Sequence, residues 1–276
     1  MGGLGVWMLL FLLSLLYGRG CGVHITGITV PRIVLSGGMV KLSCSFQLDG
    51  ADLYSLTWWK DDKMFYNYVP KNSQPKSVYA APGITVNEQI SSLNEVILSH
   101  VDHRASGKLR CEVLADKPSF EQDTKDANMT VIAEPSHGPR ITGARGPYRV
   151  GHLLLLNCSS PFSYPPTTLT WHINGHQASQ ETVVVYPGET DGQGREASWS
   201  GLHMWLQGQH FQRGILVLRC TATILNVYKK SSEVIIADSS YIESSPREDA
   251  STAGAGSWSC VVLLLLLLLL LGLMNT

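Results

Sequence analysis

Leu53-Tyr-Ser-Leu-Thr-Trp-Trp-Lys60, continued by Asp61-Asp-Lys-Met-Phe-Tyr-Asn-Tyr-Val-Pro70, is the stretch that decides the fold. Trp58 lies 14 residues after Cys44, and Cys111 follows far downstream. Side chains alternate along an extended strand, so Leu56 and Trp58 point to one face and Thr57, Trp59 and Lys60 to the other. A tryptophan set between two cysteines reads as a core residue packed on a disulfide. Trp59 is then a large aromatic on an outer face, the first sign of a binding surface.

The same arrangement occurs twice. Cys158 is followed 13 residues later by Trp171 and then by Cys220. Four cysteines allow three pairings, but each pair brackets its own tryptophan, which favours Cys44 with Cys111 and Cys158 with Cys220. Each bridge closes a long loop and contributes about 4 kcal/mol on the chain-entropy account. The expected fold is all-β: two tandem immunoglobulin-like β-sandwiches, the first variable-like and the second constant-like.

Period-two alternation supports this in both halves. In residues 23–133, Val40, Leu42, Cys44 and Phe46 face inward on one strand, and Val96 and Leu98 on another. Leu109, Cys111 and Val113 do so before the last strand, where Met129 and Val131 point in and Asn128 and Thr130 out. Leu109 stands where a corner tyrosine is usual, two residues before the second cysteine. Residues 134–139 form a Pro/Gly linker, and residues 140–237 the second domain. There Leu154, Leu156 and Cys158 face inward, as do Leu216, Leu218, Cys220 and Ala222, and Asn174-Gly175 marks a tight turn. Gly188 to Gly194 is polar and glycine-rich, the place within the domain where disorder is expected.

The ends read differently. Residues 1–22 hold a short apolar run, Leu9 to Leu16, followed by Gly18, Gly20 and Gly22, the pattern of a secretory signal peptide. Cleavage after Gly20 keeps Cys21 and cleavage after Gly22 removes it. Residues 238–259 are polar and serine-rich, a flexible stalk. Residues 260–276 are an apolar tail without a basic flank. Small residues, a spacer and such a tail match a lipid-anchor signal, with attachment expected among Asp249, Ala250, Ser251, Thr252 and Ala253. A short transmembrane segment is the alternative. Either places the chain on the extracellular face of the plasma membrane, with a secreted or shed form as the other outcome.

The net charge of −1 offers no field for nucleic acid. The nine histidines are scattered, and His100 and His103, flanking Asp102, read as solvent-exposed loop residues rather than metal ligands. No metalloprotease, hydrolase or phosphate-loop motif is present, so neither an enzyme nor a cofactor is expected. Asn128-Met-Thr130 and Asn157-Cys-Ser159 are glycosylation sequons on outward positions, the cysteine in the middle of the second lowering its expected occupancy. The aromatics Trp59, Phe65, Tyr66 and Tyr68 exceed what one inner face takes up. By alternation Trp59 and either the Tyr66/Tyr68 pair or Phe65 are left on the outer face, and Trp59, Tyr66 and Tyr68 are the expected contact residues, beside Lys108, Arg110 and Glu112.

Several segments carry a more particular likeness. Val30-Pro31, Leu53 to Lys60, Phe65-Tyr-Asn-Tyr68 with Pro70, and Cys111-Glu-Val-Leu-Ala-Asp-Lys-Pro-Ser-Phe120 together resemble the beaten path family, neuronal immunoglobulin proteins of arthropods. The usual family pattern is Leu-Tyr-Ser-Val-Lys-Trp-Tyr-Lys, from which Thr57 and Trp59 depart. The likeness runs through Gly138-Pro139 to Leu169-Thr-Trp-His-Ile-Asn-Gly175 and thereafter is one of architecture. It implies axon guidance or synaptic target choice by heterophilic binding to Sidestep-type immunoglobulin proteins. An immune-type receptor shares the sandwich but lacks the Phe-Tyr-x-Tyr segment.

Overall fold

The computed structural model describes residues 22–240. The signal peptide, Cys21, the lipid-attachment region and the apolar tail lie outside these residues. Among the described residues no helix is long and apolar enough to cross a membrane.

The first sandwich is built from β1 (Val23–Thr29), β2 (Ile33–Leu35), β3 (Val40–Leu48), β4 (Leu53–Lys60), β5 (Lys63–Tyr68), β6 (Lys76–Val78), β7 (Thr85–Val86), β8 (Glu95–Ser99), β9 (Gly107–Ala115) and β10 (Gln122–Ile132). One sheet runs β1-β3-β8-β7 and the other β2-β10-β9-β4-β5-β6. The strands added beyond β4 make this the variable-type set. Between the sheets, Trp58 is fully buried with Leu42, Leu56, Leu98 and Val113, against the Cys44–Cys111 disulfide. Leu109 fills the core where a tyrosine would have pinned the strand. That pinning falls instead to Ser106, whose hydroxyl accepts from the Val131 N–H at 2.9 Å.

The second sandwich comprises β11 (Arg140–Thr142), β12 (Leu153–Ser163), β13 (Thr168–Ile173), β14 (His176–Gln177), β15 (Val183–Thr190), β16 (Glu196–Trp205), β17 (Ile215–Ile224) and β18 (Tyr228–Ala237). Its sheets run β11-β12-β16-β15 and β14-β13-β17-β18, a constant-like set with a minimal β14. Trp171 is buried against Cys158–Cys220. Asn174 and Gly175 both take positive φ, as a tight hairpin turn requires. Asp238 to Ser240 are not free stalk: Asp238 bridges to Tyr148, and Ser239 N–H donates to the Tyr148 carbonyl at 3.0 Å.

The two sandwiches meet through specific contacts. Ile132, the last residue of β10, is buried among Ala222, Ile224 and Tyr228. Ala133 and Tyr164 exchange both backbone hydrogen bonds, at 2.9 and 3.0 Å. His103 is buried at this junction rather than exposed, which corrects the sequence expectation. Its Nε2–H donates to the Gln193 carbonyl at 2.7 Å, and its ring lies 5.3 Å from that of Tyr164. The glycine-rich stretch holding Gln193 takes a hydrogen-bonded turn. The Asp191 carboxylate accepts from the backbone N–H groups of Gln193 and Arg195 and from the Arg195 guanidinium, closing a tight turn.

Candidate functional site: the outer face of the six-stranded sheet

Register settles which side chains share the outer face. Trp59 pairs with Arg110 on β9 and with Met64 on β5, and Arg110 pairs with Asp126 on β10. One row along, Thr57 lies between Glu112 and Asn67, with its hydroxyl donating to the Asn67 side-chain oxygen at 3.2 Å. Trp59, Lys108, Arg110 and Glu112 therefore stand together on this face, as the alternation predicts.

Tyr66 and Tyr68 do not. The β4–β5 ladder slips by one residue between Trp58 and Trp59, so Tyr66 opposes Trp58 and Met64 opposes Trp59. Phe65 is the extra residue, and both Phe65 and Tyr66 are fully buried in the core. A bulge breaks the one-to-one correspondence on which alternation depends. The Tyr66 hydroxyl donates to the Ser92 carbonyl at 3.0 Å, and burial pushes its phenol up to about 12. Tyr68, opposite Leu56, packs half-buried against the same core. Lys60 is also corrected: it lies on the Trp58 side opposite Leu109, buried and paired with the Asp61 carboxylate.

The outer face thus carries one large aromatic in a charged frame. Trp59 is half-buried, and its indole Nε1 is shielded from solvent with no hydrogen-bond partner among the described residues. Arg110 Nε donates to Asp126 Oδ1 at 2.8 Å, and Lys108 Nζ lies 3.5 Å from Asp126 Oδ2. The Arg110 hydrogen bond holds the Asp126 carboxyl below its usual range. Glu112 sits half-buried in mid-strand, and burial raises its carboxyl against the opposing pull of Arg110. Asn128 is exposed on the same face, opposite Lys108 at the edge away from Trp59.

Sequence reasoning missed three residues of this region. Met64 reaches the face only through the slip. A second irregularity, between Leu53 and Ser55, leaves Tyr54 out of register and 47% exposed. Phe120, 58% exposed, stands in the β9–β10 loop, which is tied to the β3–β4 loop by Asp116 N–H donating to the Asp52 carbonyl at 2.8 Å. Phe120 was visible as an aromatic in a turn-rich segment, whereas nothing local marked Met64 or Tyr54.

Glu112 makes a pH prediction with a definite sign. An acid whose folded pKa is raised contributes most below its unfolded pKa, and that contribution is lost as pH rises through the raised value. Glu112→Gln should therefore gain stability relative to the wild type between pH 3.5 and pH 7. Thermal midpoints at the two pH values check this, and a wild-type-to-variant difference that does not grow with pH contradicts it.

Among the described residues no group of three His, Cys, Asp or Glu side chains could hold a metal ion. No family model matches the chain, and no curated protein matches it. Similarity is found among solved structures. The crystal structure of Rst D1-D2 is 15% identical with a TM-score of 0.54, covering 79% of this chain and 99% of that one. That of murine CEACAM1b is 13% identical with a TM-score of 0.49, covering 77% and 98%. At such identities the likeness to Rst D1-D2 is one of fold, a tandem pair of immunoglobulin-like domains.

Proposed function

We propose that this chain is a cell-surface recognition protein of the immunoglobulin type, which binds another protein through the outer face of its first domain. The observation that carries this is the half-buried Trp59 on the outer face of the sheet, its indole N–H without a partner among the described residues and its neighbours on that face Arg110, Asp126 and Glu112. Hot spots of protein interfaces combine such an aromatic anchor with a charged rim that fixes register. The two disulfides support an extracellular setting.

The segments shared with the beaten path family support a Sidestep-type immunoglobulin protein as the partner and axon guidance or synaptic target choice as the role. A glycan at Asn128 borders the face and directs the partner toward β4 and β5. A screen of the ectodomain against a panel of cell-surface immunoglobulin proteins, Sidestep-type members included, tests this reading. Binding to one of them through the first domain is the expected result, and binding that maps to the second domain contradicts it. Attachment through a lipid at Asp249–Ala253 completes the proposal. Phosphatidylinositol-specific phospholipase C should release the protein from cells, and retention of the whole pool with the tail intact would count against it.

A further inference from the structure

In the second domain, Leu153, Leu155 and Asn157 occupy successive outward positions on β12, about 7 Å apart. Leu153 pairs across the sheet with Trp205. Trp205 is 63% exposed, Leu155 48% and Leu153 44%. Single exposed apolar residues are ordinary, but a contiguous set on one sheet face needs an explanation.

The departure of β11 leaves the sheet edge beside this patch open. This strand pairs with β12 only from Arg140 to Thr142, the last pair being Thr142 with Asn157. At Gly143 the backbone takes φ +96°, and a Cβ there would stand 2.7 Å from the Leu155 carbonyl. The chain then leaves this sheet, and Tyr148 bridges to Asp238 beside the other one. What remains is a groove whose lining includes Leu153, Leu155 and Trp205 together with Arg145, His152 and Asn157.

Asn157 is the acceptor of the Asn157-Cys158-Ser159 sequon, with an exposed side chain. We infer that an N-linked glycan on Asn157 lies back along this groove, with its first sugars seated on Trp205 and Leu155. A pyranose ring has an apolar face of C–H groups and a rim of hydroxyls. It therefore matches a groove whose lining mixes aromatic and aliphatic side chains with a guanidinium and an imidazole. Cys158 in the middle of the sequon lowers occupancy without abolishing it. Cys220 lies 62 residues further along, so the nascent chain presents Asn157 before the disulfide can close. Bound this way, the glycan covers the apolar patch and leaves the first-domain face open.

The test uses the protein secreted from glycosylating animal cells. Peptide mass spectrometry is expected to find Asn157 occupied. Peptide N-glycosidase F should release that glycan slowly from the native protein, with the denatured chain as reference. Trp205→Ser and Leu155→Ser, both at exposed positions, should each speed native release about 10-fold, the loss of one sugar–side-chain contact at 1.4 kcal/mol per decade. Disulfide mapping confirms that each variant is folded, and Leu155→Thr is the milder substitute if a serine variant is not secreted. An unoccupied Asn157, or native release as fast in the wild type as in the folded variants, overturns the inference.

Discussion

Trp58→Ala is expected to remove about 3–5 kcal/mol from the first domain, a large part of the 5–15 kcal/mol by which domains are typically stable. Trp58 is fully buried, pairs with Cys111 on one side and Tyr66 on the other, and is among the largest buried side chains. Its removal leaves a cavity between the sheets that Phe65 and Tyr66, themselves fully packed, cannot collapse to fill. The indole Nε1 has no hydrogen-bond partner among the described residues. Trp58→Phe therefore forfeits volume and no hydrogen bond, and should cost about 1–2 kcal/mol. Urea unfolding of the secreted protein checks both numbers. A phenylalanine variant as unstable as the alanine one would mean that the indole N–H does matter and that the packing account is wrong.

The inner faces were legible because each obeys a local rule. Val40, Leu42 and Cys44 alternate inward on a strand whose register has no slip from Ser43 to Val40 against its neighbour β8. Leu216, Leu218 and Cys220 do the same in a ladder that runs unbroken from Ile215 to Ile224. The outer face was only half legible. Trp59, Arg110 and Glu112 were placed by alternation, but the slip between Trp58 and Trp59 depends on how two strands meet, and neither strand's sequence encodes it alone. That single slip moved Tyr66 into the core and Met64 onto the face. His103 was misread for a related reason. Its burial is made by Gln193 and Tyr164 of the other domain, 90 and 61 residues away, and carries no local signal. The groove beside Asn157 depends on where β11 leaves its sheet, which the backbone at Gly143 decides.

Trp59→Ala is expected to weaken binding to the protein partner about 30-fold, the loss of an anchor contributing about 2 kcal/mol. The side chain is half-buried on the outer face, so truncation leaves the core that holds Trp58, Phe65 and Tyr66 intact. Tyr66→Ala would also abolish binding, but by unfolding: it removes a buried ring and the hydroxyl that donates to Ser92. The two variants are therefore separable. Trp59→Ala should be secreted at the wild-type level with both disulfides formed and bind poorly, whereas Tyr66→Ala should fail at secretion. If Trp59→Ala folds and binds at full affinity, the anchor is not Trp59.

The most direct measurement places a sugar on the face. Asn67 lies on it, beside Thr57 in the row that contains Glu112, and Val69→Thr alone converts Asn67-Tyr68 and the following residue into a sequon. Occupancy is read by peptide mass spectrometry, and affinity for the partner found in the panel is measured on the occupied, disulfide-intact protein. Loss of detectable binding, restored when Asn67 is also changed to Gln, is the predicted result. Unchanged binding with Asn67 fully glycosylated would contradict recognition through this face.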